Sequence, residues 1–194
     1  MKIALAQINC HIGNFDFNSK AILRFIEEAV SAGVNLIVFP EMAICGYPPL
    51  DLLDSEDFIA ACISHLETIA KSCNGITAIV GGPAKNPSDK GKSLYNSAYI
   101  LEDGKVKDVI HKTLLPTYDV FDEYRYFEPN RTFKLIETGG IKAAVTICED
   151  LWNLEDDPMY TDAPMDHLSK LSPEIIINIA ASPFDFSHRE KRIS

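Results

Sequence analysis

The sequence lacks the features that define several large classes of protein. Its five cysteines include no Cys-x-x-Cys pair, which argues against a zinc ribbon or a redox dithiol. Its five histidines form no close pair at helical spacing, so we expect no metal site. No apolar run approaches the roughly 20 residues that cross a bilayer, and the first residues do not resemble a secretory signal. We therefore expect a cytoplasmic protein with reduced cysteines and no membrane partner.

Basic residues are also scarce. Lys and Arg number 18 against 28 Asp and Glu, which gives a formal net charge of −10. Because nonspecific nucleic-acid binding needs a basic face, we expect no nucleic-acid partner. The 194 residues are 46% hydrophobic and 24% charged, which is typical of one globular domain or of a piece of a larger one.

What is present is an alternation of strand and helix patterns followed by hairpins. Short apolar runs predict strands over residues 2–9, 34–39, 76–80, 94–101, 106–111, 132–137, 141–147 and 174–180. Helical spacing predicts helices over residues 18–32, 55–72 and 163–171. A long loop over residues 41–54 is rich in Pro, Gly and Tyr, and Gly81-Gly82-Pro83 is predicted to end the third strand. The order predicts a mixed α/β sandwich in which two sheets pack together with helices outside.

Three polar residues follow predicted strands, where α/β proteins place active sites. They are Glu41, Lys112 and Cys148. A thiol can attack an electrophilic carbon, a carboxylate can accept the thiol proton, and an ammonium can stabilise the resulting oxyanion. We expect the nearby ammonium to lower the pKa of the Cys148 thiol.

Each of these residues also has a purely structural interpretation. A cysteine at the end of an apolar strand is often a small core residue, and single Glu and Lys side chains are usually exposed. Their shared position at strand ends favours the catalytic interpretation, although spacing alone leaves both open.

The longer motifs around these residues carry a resemblance. The stretches are FPEMAICGYPPLDLL around Glu41, HKTLLPTYDVFDEYRYFEP from His111 and TICEDLW around Cys148. Together with the opening KIALAQINCHIGNF, they resemble the nitrilase, or carbon–nitrogen hydrolase, superfamily. The resemblance implies a nitrilase-like αββα sandwich with mixed sheets.

More narrowly, CGYPPLDLL, LPTYDVFDEYRYFEP and CEDLW resemble the N-terminal glutaminase domain of glutamine-dependent NAD synthetases. That family hydrolyses glutamine and passes the ammonia to a synthetase domain that amidates deamido-NAD. The resemblance implies Cys148 as nucleophile, Glu41 as general base and Lys112 as oxyanion stabiliser. It further implies that Glu123 orients Lys112 and the substrate, and that the Glu149 backbone N–H completes the oxyanion hole.

The same resemblance implies a set of residues that bind glutamine. In addition to Glu123, this set comprises Tyr118, Glu149, Trp152, Ser182 and Arg189. Ser182 is expected to hold the α-amino or α-carboxylate group, and the Arg189 fork is expected to bind the carboxylate.

The resemblance covers only the front part of such an enzyme. No Ser-Gly-Gly-type pyrophosphate loop occurs in the 194 residues, so we expect no cofactor in this chain. ATP and magnesium are expected only in a synthetase domain absent from it. Residues 1–194 are then an incomplete hydrolase domain, truncated at the C-terminus. A missing strand leaves an open sheet edge, so we expect a homo-oligomer.

Two other functions remain open from the sequence. One is a stand-alone amidase or nitrilase that acts on another small amide or nitrile. The other is an inactive structural fragment in which Cys148 is a core residue. A panel of amides with and without an α-amino acid head separates the first from a glutaminase. The alkylation rate of Cys148 near neutral pH addresses the second.

Overall fold

The computed structural model of the chain describes residues 1–153 and 159–182. Two β-sheets form its centre. The first sheet has five strands in chain order, which are β1 (Ile3–Leu5), β2 (Leu36–Val38), β3 (Thr77–Lys85), β4 (Leu94–Glu102) and β5 (Lys105–His111). The second has three strands in the order β6 (Ile136–Thr138), β7 (Ile141–Ile147) and β8 (Ile175–Ile179). Both sheets are mixed, because β1, β2 and β3 pair in parallel and so do β7 and β8, whereas the other neighbours are antiparallel.

Four α-helices and two 3₁₀ helices connect these strands. The α-helices are α1 (Phe15–Ser31), α2 (Glu56–Ala70), α3 (Glu123–Tyr126) and α4 (Pro164–Ser169) among the described residues. The 3₁₀ helices cover Leu50–Asp54 and Cys148–Leu151. The Asn14 side chain caps α1 and the Ser55 side chain caps α2, each by accepting a backbone N–H.

The first sheet has a hydrophobic core on each face. Successive side chains of a strand point to opposite faces, and in β2 Ile37 faces the helices whereas Leu36 and Val38 face the second sheet. Helices α1 and α2 cover the helix-side core, and β7 and β8 supply most of the opposite wall of the core between the sheets. The predicted sandwich of two mixed sheets with helices outside is therefore confirmed.

The third strand is longer than predicted. Instead of ending at Gly81-Gly82-Pro83, β3 continues through all three residues to Lys85. A Cβ atom on Gly81 would lie 2.4 Å from the Met42 backbone nitrogen and 2.5 Å from the Pro40 carbonyl oxygen. Glycine is thus required here because the chain after β2 crosses directly over the strand, and that crossing positions Glu41.

Other boundaries differ by a few residues. The first strand contains only Ile3–Leu5, and α1 begins at Phe15 because Asn14 provides the cap. The predicted hairpin of β4 and β5 is confirmed, with Asp103 and Gly104 in the turn at positive φ. Within the part of the chain that the structure describes, no helix is both long and apolar enough to cross a bilayer.

Candidate active site

The ends of three strands bring the predicted catalytic residues towards one another. Glu41 follows β2 by three residues, Lys112 directly follows β5, and Cys148 directly follows β7. Lys112 is held in place by its backbone N–H, which donates to the Asn96 carbonyl of β4 at 2.8 Å. Two of the residues therefore come from the first sheet, and Cys148 comes from the second.

Glu41, Asn96, Lys112 and Glu123 form a buried group that we call the carboxylate–lysine cluster. Lys112 Nζ donates to Oε1 of Glu41 and to Oε1 of Glu123, each at 2.8 Å. Asn96 Nδ2 donates to Glu41 Oε1 at 2.7 Å and to Glu123 Oε2 at 3.3 Å. The Tyr47 hydroxyl adds a 2.9 Å bond to Glu123 Oε1. The sequence-predicted Glu123 thus lies directly against Lys112.

Burial and charge act in opposite directions on Lys112, which has 0% exposed surface. Burial disfavours the ammonium, but the Glu41 and Glu123 carboxylates outweigh it and raise the Lys112 pKa well above its ordinary value. For Glu123, burial raises the carboxyl pKa, with the Lys112 ammonium opposing and the Glu41 carboxylate reinforcing that shift. The cluster therefore contains a permanent ammonium between two carboxyl groups.

The nucleophile turn, which we define as residues 147–150, joins β7 to the second 3₁₀ helix. Cys148 has a φ of 47°, a left-handed conformation that is uncommon for a residue with a side chain. Asn178 of β8 holds this conformation from both sides of the residue. Its Oδ1 accepts the Cys148 N–H and its Nδ2 donates to the Cys148 carbonyl, both at 3.1 Å. The main chain around the thiol is therefore fixed by a neighbouring strand.

The expected lowering of the Cys148 pKa is wrong. Burial, followed by the Glu41 carboxylate, raises the pKa of the thiol to about 12, although Lys112 acts in the opposite direction. The main physical reason is burial of the thiol, and the Lys112 ammonium cannot offset it because its charge is shared with the Glu41 and Glu123 carboxylates. A raised pKa favours the protonated thiol, so a nucleophilic role for this sulfur would call for a base nearby.

Asp150 connects the chain segments that carry Lys112 and Cys148. Its buried Oδ1 accepts the N–H groups of Thr113 and Leu114 at 2.9 and 2.8 Å, just after Lys112. Its Oδ2 accepts the N–H of Ile147 at 3.2 Å, just before Cys148. One carboxyl group thus fixes the distance between the chain segments that carry the ammonium and the thiol.

Aromatic hydroxyl groups surround the side chain of Glu149. Its Oε1 accepts from the Tyr118 hydroxyl at 2.8 Å and from the Tyr160 hydroxyl at 3.2 Å. Burial and the adjacent Glu149 carboxylate raise the pKa of both tyrosines, so both hydroxyls remain donors. Trp152 ends the same 3₁₀ helix with 41% of its surface exposed. We call Glu149 and the two tyrosines the acidic, aromatic wall, which lies next to Cys148 in the chain fold.

Of the last two predicted substrate residues, Ser182 and Arg189, only Ser182 belongs to the described part of the chain. Ser182 Oγ lies 3.9 Å from Cys148 Sγ, so it borders the thiol. The neighbouring Ala181 N–H donates to Glu41 Oε2 at 3.0 Å. Arg189 lies outside the described residues. The binding roles given to Tyr118, Glu123, Glu149, Trp152, Ser182 and Arg189 remain predictions.

Several residues of the site escaped the sequence-based prediction. They are Tyr47, Asn96, Asp150, Tyr160 and Asn178. Asn96 and Asn178 each lie in a largely apolar strand. A buried polar side chain there requires a partner, and this requirement is a signal that the sequence offers. In residues 1–153 and 159–182, no group of three or more His, Cys, Asp or Glu is arranged to hold a metal ion.

The family model for carbon–nitrogen hydrolases matches residues 2–159 of the chain. A curated relative, the glutamine-dependent NAD(+) synthetase of Synechocystis sp., is 39% identical over 189 residues. That match covers 94% of this chain but 34% of the relative, so the chain spans about a third of the length of the relatives it matches.

Solved structures have the same fold. The glutamine-dependent NAD+ synthetase from Acinetobacter baumannii in complex with ADP superposes with a TM-score of 0.86 and 31% identity, covering 98% of this chain and 34% of that one. An amidase from Nesterenkonia sp. superposes with a TM-score of 0.78 and 20% identity, covering 97% of this chain and 68% of that one. The second likeness concerns the fold alone.

Proposed function

The chain belongs to the carbon–nitrogen hydrolase family, and on that premise we propose that it hydrolyses the side-chain amide of glutamine to glutamate and ammonia. The observation that carries the proposal is the fully buried Lys112 between Glu41 and Glu123, at the strand ends beside the Cys148 turn. The choice of glutamine is supported by relatives named glutamine-dependent NAD(+) synthetase, which match along 94% of the chain.

The first chemical step forms a thioester. Cys148 sulfur attacks the side-chain amide carbon of glutamine while its proton moves to the Glu41 carboxylate, and the carbonyl π pair moves onto oxygen. A concerted proton transfer fits a thiol whose pKa is raised to about 12. Glu41 then returns the proton to the departing nitrogen, the carbon–nitrogen bond breaks, and ammonia leaves.

The oxyanion requires donors that the resting protein does not use. An ammonium has three N–H donors, and Lys112 directs two of them to Glu41 and Glu123, so one remains for the oxyanion. The Glu149 N–H belongs to the first turn of the 3₁₀ helix, where N–H groups have no partner within the helix. Together they supply two donors from opposite sheets.

Hydrolysis of the thioester reuses the same base. Glu41 accepts a proton from water as the water oxygen attacks the thioester carbon, and the Cys148 sulfur leaves and regains a proton. Glutamate is released and the resting thiol is restored. The same carboxylate acts as base and then as acid in each step. Donors on both of its oxygens hold Glu41 in one position throughout.

The head group of glutamine is assigned to the acidic, aromatic wall. A glutamine α-ammonium is attracted to a carboxylate such as Glu149, which also accepts from Tyr118. Trp152, which follows the same 3₁₀ helix, is proposed to contact the head group as well. Ser182, 3.9 Å from the thiol, is close enough to contact the reacting amide end instead. The α-carboxylate partner is proposed to be Arg189.

The wider setting forms a second part of the proposal. The ammonia would serve ATP-dependent amidation of deamido-NAD by a synthetase domain outside these residues, and ATP and magnesium would bind there. Residues 1–194 would form an incomplete hydrolase domain, and we propose that it self-associates through its sheet edges. A cytoplasmic location is supported by five free thiols.

The test measures ammonia release from glutamine by this chain beside Cys148→Ala. Cys10→Ala is the matched control, because Cys10 packs against the helix-side core and not against the cluster. We expect release by the chain and the control but none by Cys148→Ala. Asparagine, acetamide and a small nitrile form the comparison panel, and light scattering gives the oligomeric state.

Each outcome is informative. Release that survives in Cys148→Ala would overturn the role of the thiol. Faster release from acetamide or the nitrile than from glutamine would replace the glutaminase by a stand-alone amidase or nitrilase. No release from any of them, with a folded chain, would favour an inactive structural fragment.

A further inference from the structure

Asn96 is a buried polar residue in the largely apolar strand β4. It is the third residue of β4, with 0% of its surface exposed, and its backbone carbonyl accepts the Lys112 N–H. A buried amide costs stability unless its polar atoms are paired. The partners of Asn96 therefore indicate why the position holds an amide.

Those partners are both carboxylates. The Asn96 side chain lies 2.7 Å from Glu41 Oε1 and 3.3 Å from Glu123 Oε2. Because carboxylate oxygens accept, the amide nitrogen faces them and uses both of its N–H groups. Its Oδ1 is buried without a hydrogen-bond partner among the described residues. The amide is thus satisfied only on its donor side.

This arrangement decides which oxygen of Glu41 can act as a base. A carboxylate oxygen has two lone pairs, and Oε1 of Glu41 already accepts from Lys112 and from Asn96. Oε2 accepts the Ala181 N–H at 3.0 Å, which leaves one lone pair. The atom free to take a proton is therefore Oε2.

We propose that Asn96 is a positioning residue that fixes the Glu41 and Glu123 carboxylates on either side of Lys112 and reserves Glu41 Oε2 as the proton acceptor. The identity of the substrate rests on the proposed function, but the positioning does not. Without the amide, the Glu41 oxygen that faces Lys112 keeps a single donor, so it too has a free lone pair, and the carboxylate plane is held less firmly. The titratable groups that face this site are Glu41, Tyr47, Lys112, Glu123 and Cys148.

Two variants and one control test the proposal. Asn96→Leu removes both donors and keeps the same branched arrangement of side-chain heavy atoms, and Asn96→Asp keeps the shape. Ser97→Ala alters the next residue of β4, which is equally buried but bonds to His111 and not to the cluster. The readouts are the pH dependence of glutamine hydrolysis and of Cys148 alkylation by iodoacetamide, measured by peptide mapping.

For Asn96→Leu we expect kcat to fall by about 100-fold with KM little changed, because the base is misplaced and substrate contacts remain. Its acid limb should move to higher pH by about one unit, since the ionised carboxylates have lost a donor. For Asn96→Asp, the introduced carboxyl donates one proton at low pH and repels its neighbours when ionised. Its rate should therefore fall as pH rises.

Profiles that match the unaltered chain in both variants would overturn the proposal, as would an equal change in Ser97→Ala. If the chain does not hydrolyse glutamine, the proposed function fails, but alkylation still decides the role of Asn96. We expect slower alkylation of Cys148 in Asn96→Leu than in Ser97→Ala, because the carboxylate that accepts the thiol proton is misplaced, and equal rates would overturn the proposal. Asn96→Asp serves if Asn96→Leu does not fold, because its side chain has nearly the same shape.

Discussion

The two sheets contribute to the site by different means. The first sheet positions charges through side-chain contacts, in which Lys112 and Asn96 donate to Glu41 and Glu123 at 2.7 to 3.3 Å. The second positions main chain, because Asn178 holds the peptide groups of Cys148 in a left-handed turn. The difference suggests that side-chain changes in the first sheet alter proton transfer, whereas changes in the second alter the position of the sulfur.

The largest effect should come from removing the Lys112 charge at the centre of the carboxylate–lysine cluster. Lys112→Met leaves two buried carboxyl groups without their cation, at a cost of roughly 3–5 kcal/mol in the free energy of unfolding. It also removes the proposed oxyanion donor, so we expect kcat to fall by at least about 100–1,000-fold. Urea denaturation and ammonia release are the measurements.

Lys134→Met is the matched control for this change, because Lys134 pairs with Asp108 at the half-exposed surface. It should cost at most about 1 kcal/mol. Ammonia release at the original rate by Lys112→Met would exclude the ammonium from the chemistry.

Removing the Asp150 carboxylate, which joins the segments that carry Lys112 and Cys148, should have the next largest effect. In Asp150→Asn one oxygen becomes an NH₂ group, which then faces a backbone N–H of either Ile147 or the Thr113–Leu114 pair. We expect about a 100-fold lower kcat with a nearly unchanged glutamine KM, because thiol and ammonium move apart. Steady-state kinetics measures both constants.

The control for this variant is Asp162→Asn, which alters an exposed pair with His167. A change in KM alone for Asp150→Asn would instead place Asp150 in substrate binding.

The pH dependence of Cys148 alkylation tests the environment that the second sheet gives to the sulfur. Since the Cys148 pKa is raised to about 12, the thiolate fraction grows about tenfold per pH unit through the neutral range. The alkylation rate in the folded chain should rise from pH 7 to 10 without a plateau. In urea the same residue should reach half of its maximal rate at about pH 8.5 and level off above about pH 10. A plateau below pH 7 in the folded chain would contradict the buried, acid-flanked environment.

The smallest effect is expected for Tyr47, which contacts the carboxylate–lysine cluster through one hydroxyl group. Tyr47→Phe removes a single hydrogen bond to Glu123, which other donors still hold. A loss of about 1 kcal/mol corresponds to about a fivefold lower kcat. Tyr126→Phe, whose hydroxyl contacts Asp51 instead, is the control. Equal kinetics in the two variants would show that the Tyr47 hydroxyl has no part in ordering the cluster.

Local patterns predicted much of the fold, but they did not predict where one chain segment crosses over another. The apolar runs located the eight strands, and turn residues located the hairpins. They misplaced the end of β3, because Gly81-Gly82-Pro83 is typical of a turn. Only the Glu41 segment packed on top of it explains why glycine occupies a strand interior.

The sequence by itself determined the three strand-end residues, the family motifs around them and the sandwich, because these depend on periodicity and spacing along the chain. Tertiary structure decided the rest. Asn96 acquires its role from two carboxylates that lie 55 and 27 positions away in the chain. The pKa of Cys148 rises, against expectation, because burial and the sum of neighbouring charges exist only once the two sheets pack.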